Sequence, residues 1–284
     1  MVPEADRTEE VRVLGQAPRF AGSVQQLATR PFARRHLFLL GHMRSYSSVL
    51  GHILGSHPQI DGYCETHTRY RTRFDLWRLH HRVRKLTAEP LDGDYVFDKI
   101  LHEYPLARSI LDSSRTRGIV LVRQPCAAVR SIIETGLSYS PTAWHRDFEQ
   151  VARYYETRLA GLLRLAEALR GRVVFLEAES LLSSTRAVLD QLGIFLELRS
   201  PLQPQYRVFA HTGKIGFGDP SEAIWAGRVT VTQRAGRTAV SLPRPLVARL
   251  QTAYDFWCAA IRRSCPTINP DSAAPSGSGE KSNL

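Results

Sequence analysis

The chain predicts an α/β fold: a single domain with a mostly parallel central sheet flanked by helices, built around a P-loop-like strand-loop-helix. Three observations carry this. Short apolar runs alternate with segments of helical spacing, the pattern of parallel strands covered on both faces. No interior stretch has the composition of a linker, and 284 residues are enough to bury a substantial core.

Residues 1–34 are polar and aperiodic and are expected to form a flexible N-terminal segment. Residues 266–284, rich in Pro, Gly and Ser, are expected to be a disordered tail. Between them, 35–265 form the domain. "HLFLL" at 36–40 reads as a buried strand, and "SSVLGHILGSHP" as the helix after it, ended by Pro58. A long Arg-rich helix is expected over 68–86. "YVFDK" at 95–99 is the second strand, followed by a helix over 106–111. "GIVLVR" at 118–123 is the third strand, and Pro125 opens the helix "PCAAVRSIIE". An amphipathic helix spans about 147–169, "VVFLE" at 173–177 is the fourth strand, and "LVARLQTAYDFWCAAI" is a late helix. In such sheets ligands bind beyond the carboxyl ends of the strands.

The formal charge of +11 favours a partner that carries negative charge. Only four of the 38 basic residues are lysines, Lys85, Lys99, Lys214 and Lys281, so an interior lysine is more informative than an interior arginine. Cys64, Cys126, Cys258 and Cys265 form no CxxC pair and show no zinc-like spacing with the histidines, which fits a reduced, cytoplasmic protein without a metal. The N-terminus "MVPEADRTEEVR" is acidic and lacks the apolar core of a secretion signal. No run approaches the roughly 18 apolar residues of a membrane helix, so no membrane insertion is expected.

The run "GHMRSYSS", 41–48, hands a strand over to a helix through Arg44, three serine hydroxyls and successive backbone N–H groups. A helix N-terminus with free amides is an anion site, and Arg44 adds a full charge. The same serines also suit a plain helix cap. The Walker pattern G-x-x-x-x-G-K-[ST] is absent, because Tyr46 stands where its second Gly would be and no Lys is near. A nucleotide-dependent kinase or NTPase on a related fold is therefore the weaker alternative.

"LLGHMRSYSSVL" resembles the 5′-phosphosulfate loop of sulfotransferases that use 3′-phosphoadenosine 5′-phosphosulfate (PAPS), with Arg44, Ser45, Ser47 and Ser48 in register. Met43 replaces the usual Pro, and Tyr46 the usual Gly. "IVLVRQPCAAVRSII" resembles the family's 3′-phosphate segment, in which an Arg at a strand end is followed eight residues later by a Ser; here these are Arg123 and Ser131. Arg at a strand end and Ser two turns along the next helix can converge on one phosphate. "TGKIGFGDP" resembles the K-G-x-x-G-D-W run of cytosolic sulfotransferases, with Lys214, Gly218 and Asp219 in register and one Gly displaced to Gly216. Alternating glycines near a Lys can form an amide nest. They are also what a flexible loop looks like.

The resemblance, to a bacterial type with a tyrosylprotein-sulfotransferase-like catalytic turn, implies transfer of a sulfuryl group from PAPS to an acceptor hydroxyl (an amine being second choice) by in-line displacement. Adenosine 3′,5′-bisphosphate is released and no metal is needed. It implies Arg44, Ser45, Tyr46, Ser47, Ser48 and Val49 around the 5′-phosphosulfate, Arg123 and Ser131 on the 3′-phosphate, and Lys214, Gly216 and Gly218 closing the cofactor site. In "GYCETHTR", Glu65 matches the base of the tyrosylprotein branch, with His67 near enough to substitute; Lys99 would stabilise the leaving group together with Arg44. His102, three residues after Lys99, is the rival base.

The resemblance leaves the acceptor open among small-molecule, glycan, lipid and peptide hydroxyls, and an Arg-rich helix directly after Glu65 is expected to favour an acidic one. That helix, with Phe74, Leu76, Trp77, Leu79 and Val83 approximating one apolar stripe, reads better as a solvated basic face over a packed one than as part of a non-catalytic nucleic-acid-binding protein. Tyr154, Tyr155 and Trp257 read as core. Trp144 and His145 are better placed to touch a substrate.

Overall fold

The computed structural model describes residues 33–139, 143–230 and 240–270. Among them, β1 (Arg35–Gly41), β2 (Ile60–Asp61), β3 (Tyr95–Ile100), β4 (Thr116–Val122) and β5 (Val173–Glu177) form one sheet in the order β2-β3-β1-β4-β5. Every pairing is parallel, and β1 runs at the centre between β3 and β4. The helices are α1 (Ser47–Gly55), α2 (Asp75–Thr87), α3 (Arg108–Leu111), α4 (Pro125–Tyr139), α5 (Phe148–Ala168), α6 (Ser180–Ser183), α7 (Thr185–Phe195) and α8 (Arg244–Ser264).

Alternation along β1 divides the interior into two cores, because successive side chains of a strand point to opposite faces. Phe38 and Leu40 join Val120 and Val122 with Leu159 and Leu162 of α5 and Leu250 and Ile261 of α8. Leu37 and Leu39 join Ile119 and Leu121 with Leu50 and Ile53 of α1 and Val188 and Leu192 of α7. Leu37, Phe38, Leu39 and Leu40 are wholly buried, and each such side chain contributes about 1.5–3 kcal/mol. Helix α1 approaches the backbone after β2 so closely that a Cβ at Gly51 would lie 2.4 Å from the Tyr63 carbonyl oxygen.

The four expected strands are present, within about two residues of their expected ends. The Arg-rich helix begins at Asp75, seven residues later than expected. Tyr70 instead bridges Leu106: its N–H donates to the Pro105 carbonyl at 3.0 Å, and its carbonyl accepts from Ala107 N–H at 2.7 Å. A backbone committed to that pairing has no groups left for a helix, and the helix expected over 106–111 shrinks to the single turn of α3 for the same reason. The apolar stripe is also narrower than expected. Leu76, Leu79 and Val83 are buried, while Phe74, just before α2, and Trp77, off the stripe, are exposed.

Two end assignments also change. Arg34, placed in the flexible N-terminal segment, donates to Leu91 O and pairs with Asp61 at 2.6 Å. The expected tail begins as an extension of the sheet, Phe175 N–H donating to Pro266 O and Ile268 N–H to Phe175 O, each at 2.8 Å. Residues 1–32 and 271–284 lie outside the described residues. Among those described, no helix is long and apolar enough to cross a membrane.

Candidate active site

The chain leaves β1 toward β2 and β3 on one side and later takes up β4 and β5 on the other, so the strand order reverses at the β1–β4 boundary. Crevices of α/β sheets open at such a reversal, beyond the strand ends. Here the 42–46 turn follows β1, Lys99 lies near the end of β3, and Arg123 directly follows β4.

The turn is held from within. Ser45, wholly buried, donates through Oγ to the His42 carbonyl at 2.7 Å, so its hydroxyl is spent inside the loop. His42 meets Met43 O through Nδ1 at 2.9 Å and accepts Arg123 N–H on Nε2 at 3.0 Å, which fixes the proton on Nδ1 and ties the two loops together. Burial pushes its pKa down to about 3, so it stays neutral. Arg44 and Tyr46 both adopt left-handed backbone, with φ of 62° and 61°. Such conformations cost on the order of 1–3 kcal/mol each outside glycine. Tyr46 thus keeps the backbone form that suits a Gly, while its ring turns beneath the Arg123 guanidinium, 4.2 Å from the ring centroid.

The Arg44 side chain joins three segments. Its Nε donates to Ser131 Oγ on α4 at 3.0 Å, and Nη1 pairs with Asp219 Oδ1 at 2.7 Å. Its carbonyl accepts from Arg123 Nη1 at 2.9 Å. Ser48, in the first turn of α1, accepts on Oγ from Asp219 N–H at 2.8 Å and from Lys99 Nζ at 3.2 Å. A Cβ at Gly218 would come within 2.9 Å of that oxygen. Lys99 Nζ is 3.5 Å from Glu65 Oε1, and both residues are buried. Burial alone would raise the Asp219 pKa, but the charge and hydrogen bond of Arg44, with Ser221 N–H, hold it below the usual range.

Two supports were not anticipated. Asp98, which precedes Lys99 and points to the other face of β3, accepts from Thr66 N–H, Thr66 Oγ1 and Lys99 N–H at 2.8 Å and from Tyr70 OH at 2.5 Å. It pins the Glu65 turn to the strand of Lys99; burial raises its pKa to about 6. His52 of α1 meets Ser48 O through Nδ1 at 2.7 Å and Thr212 Oγ1 through Nε2 at 2.8 Å, anchoring the strap 209–219 over the helix.

The structure therefore brings together Arg44, Ser48, Glu65, Lys99, Arg123, Ser131 and Gly218. Ser47 is buried at the start of α1, and Val49 packs half-buried against the second core. His102 is half-buried, its ring 5.8 Å from those of Tyr104 and Tyr154; burial lowers its pKa, against the pull of the nearby Glu65 charge. Lys214 and Gly216 lie exposed on the strap; the Gly216 carbonyl meets His67 Nε2 at 2.6 Å. Among the described residues no group of three or more His, Cys, Asp or Glu is placed to hold a metal ion.

The parallel five-stranded sheet with its strand-loop-helix and covering strap defines a sulfotransferase-like fold. The chain superposes on the sulfotransferase domain from the curacin biosynthetic pathway with a TM-score of 0.58, over 79% of this chain and 98% of that one, at 16% sequence identity. The likeness is one of fold. No protein-family model matches the chain, and no curated protein matches its sequence.

Proposed function

We propose that the protein is a PAPS-dependent sulfotransferase acting on an acceptor hydroxyl. The observation that carries this reading is the array of Arg44 with the buried Ser48, Lys99 and Glu65 around the ends of β1 and β3, with Arg123 and Ser131 meeting it from β4 and α4. The Arg44–Asp219 pair supports it further, since that guanidinium already receives an oxyanion. Arg44 and the amides of the turn through Val49 would hold the 5′-phosphosulfate, and Arg123 and Ser131 the 3′-phosphate. Gly218 leaves room beside Ser48, and Lys214 and Gly216 lie further out on the strap.

In the transfer, the acceptor oxygen attacks sulfur in line and the bond from sulfur to the bridging oxygen breaks, its electron pair going to the departing phosphate. Lys99 neutralises the bridging oxygen as charge develops there, and Arg44 shares the load. Glu65 takes the acceptor's proton. His102 is second choice, because Glu65 stands beside Lys99, at 3.5 Å.

Thermal unfolding with adenosine 3′,5′-bisphosphate, and separately with Mg-ATP, tests the reading in wild type and Arg123→Ala. Ligand at 100 times its Kd should stabilise the fold by about 2.7 kcal/mol. A shift with the bisphosphate alone, lost in the variant, is the expected result. An equal shift with Mg-ATP would favour the kinase alternative, and no shift with either would remove the nucleotide reading.

A further inference from the structure

Helix α5 buries Val151, Ala152, Leu159 and Leu162 against the sheet, as an amphipathic helix should. Three polar side chains on it do something else. Tyr154 OH accepts from Met43 N–H and donates to Leu101 O, both at 2.8 Å. Arg158, only 2% exposed, donates through Nε to Gly41 O at 2.7 Å and through Nη2 to Ile100 O at 2.8 Å, while Nη1 pairs with Glu103 at 2.8 Å. Tyr155 OH donates to Arg123 O at 2.7 Å.

These ties reach the carboxyl ends of β1, β3 and β4, and each one made to the backbone lands within three residues of Arg44, Lys99 or Arg123. Tyr154 and Arg158, one helical turn apart, each bridge β1 to β3. The ladder between those strands ends at Leu40 and Ile100, so beyond it the two chains are joined through this helix. A helix needed only for packing would present apolar groups here, since a buried guanidinium has to be fully hydrogen-bonded.

We infer that Tyr154 and Arg158 are positioning residues that fix the distance between the Arg44 turn and Lys99, with Tyr155 holding the backbone of Arg123. Their functional effect rests on the transfer reading above; the structural effect does not.

Tyr154→Phe tests this, with Tyr95→Phe as a matched control. The Tyr95 hydroxyl is also bonded twice, donating to Leu196 O at 3.0 Å and accepting from Arg35 Nη1 at 3.1 Å, but at the opposite end of β3. In ligand-free protein, Tyr154→Phe should speed amide hydrogen exchange in 41–46 and 99–104, and Tyr95→Phe should not. Tyr154→Phe should also weaken adenosine 3′,5′-bisphosphate binding by about fivefold, the scale of one lost hydrogen bond. With an acceptor in hand, kcat should fall more than the acceptor KM changes, because geometry and not contact is lost.

If both variants lose similar stability while exchange in 41–46 and bisphosphate affinity stay as in wild type, the residues are merely structural and the inference falls. If wild type binds no bisphosphate, the transfer reading fails and the exchange data alone decide the positioning role. Should Tyr154→Phe not fold, Tyr155→Phe gives the same test, with faster exchange expected around Arg123 and its absence counting against the inference.

Discussion

Lys99 Nζ and Glu65 Oε1 stand 3.5 Å apart, and both residues are buried. Glu65→Gln keeps the shape and removes the proton acceptor. Turnover should then fall by about 10²–10⁴, the usual worth of a positioned base, with bisphosphate affinity nearly unchanged. Initial rates and calorimetric titration check this, and retained turnover would move the role to His102. Asp219 predicts an opposite kind of change. Its carboxylate occupies Arg44 before any ligand arrives, so Asp219→Asn should bind the bisphosphate several-fold more tightly, by roughly the worth of an exposed ion pair or somewhat more. No gain in the titration would mean that Asp219 stays on Arg44 when ligand binds. That Arg44, Arg123 and Ser131 lie together was legible in the sequence, because each sits at a fixed offset from a strand end. Asp98 and His52 were not, because their partners, Thr66 and Tyr70 in one case and Thr212 in the other, are joined only by tertiary folding.

At the scale of elements, α1 matters most, because its first turn carries Ser48 and its flank lies on the Tyr63 backbone. Gly51→Ala would drive a methyl group into the Tyr63 carbonyl, and the helix would have to lift away. A loss of about 1–3 kcal/mol in urea unfolding is expected, with weaker bisphosphate binding. A variant as stable as wild type would show that the contact relaxes without cost. The strands were readable because short runs such as 37–40 are apolar throughout and alternate with longer segments of helical spacing, as in a sheet covered on both faces. The start of α2 was misread because composition cannot reveal that Tyr70 has a partner at Leu106. The two-residue β2 and the four-residue α6 are too short to show a period, whereas α7, with Val188, Leu189 and Leu192 buried at helical spacing, was legible and was passed over.

For the molecule as a whole, buried imidazoles set the response to acid. Burial lowers His36 and His42 to about 3 and His52 and His80 to about 4, and His36 and His80 share a single hydrogen bond, Nε2 to Nε2, at 3.1 Å. A group whose folded pKa lies below its unfolded value lends full stability above the unfolded value. That stability is lost as the pH falls through the window, here from about 6.5 toward 3–4. Asp98 works the other way. Raised from 3.8 to about 6, it favours the fold most below 3.8 and loses that contribution as the pH rises through 6. Burial also lowers His57, His102 and His145, while it raises Asp61 and Glu179 as it does Asp98. The imidazoles outnumber the raised carboxyls, so urea midpoints should fall steadily from pH 6.5 to 4, and a flat profile would mean that the imidazoles take up protons without unfolding. The sheet order has one more consequence, for synthesis. The central strand Arg35–Gly41 leaves the ribosome first, whereas both its neighbours, Tyr95–Ile100 and Thr116–Val122, are made later. Until then its apolar stretch Leu37–Leu40 has two open edges, an invitation to pair with another chain. Fragments that stop before Thr116 should therefore sediment as aggregates or be held by chaperones, and nascent chains should become soluble only once the fourth strand is out.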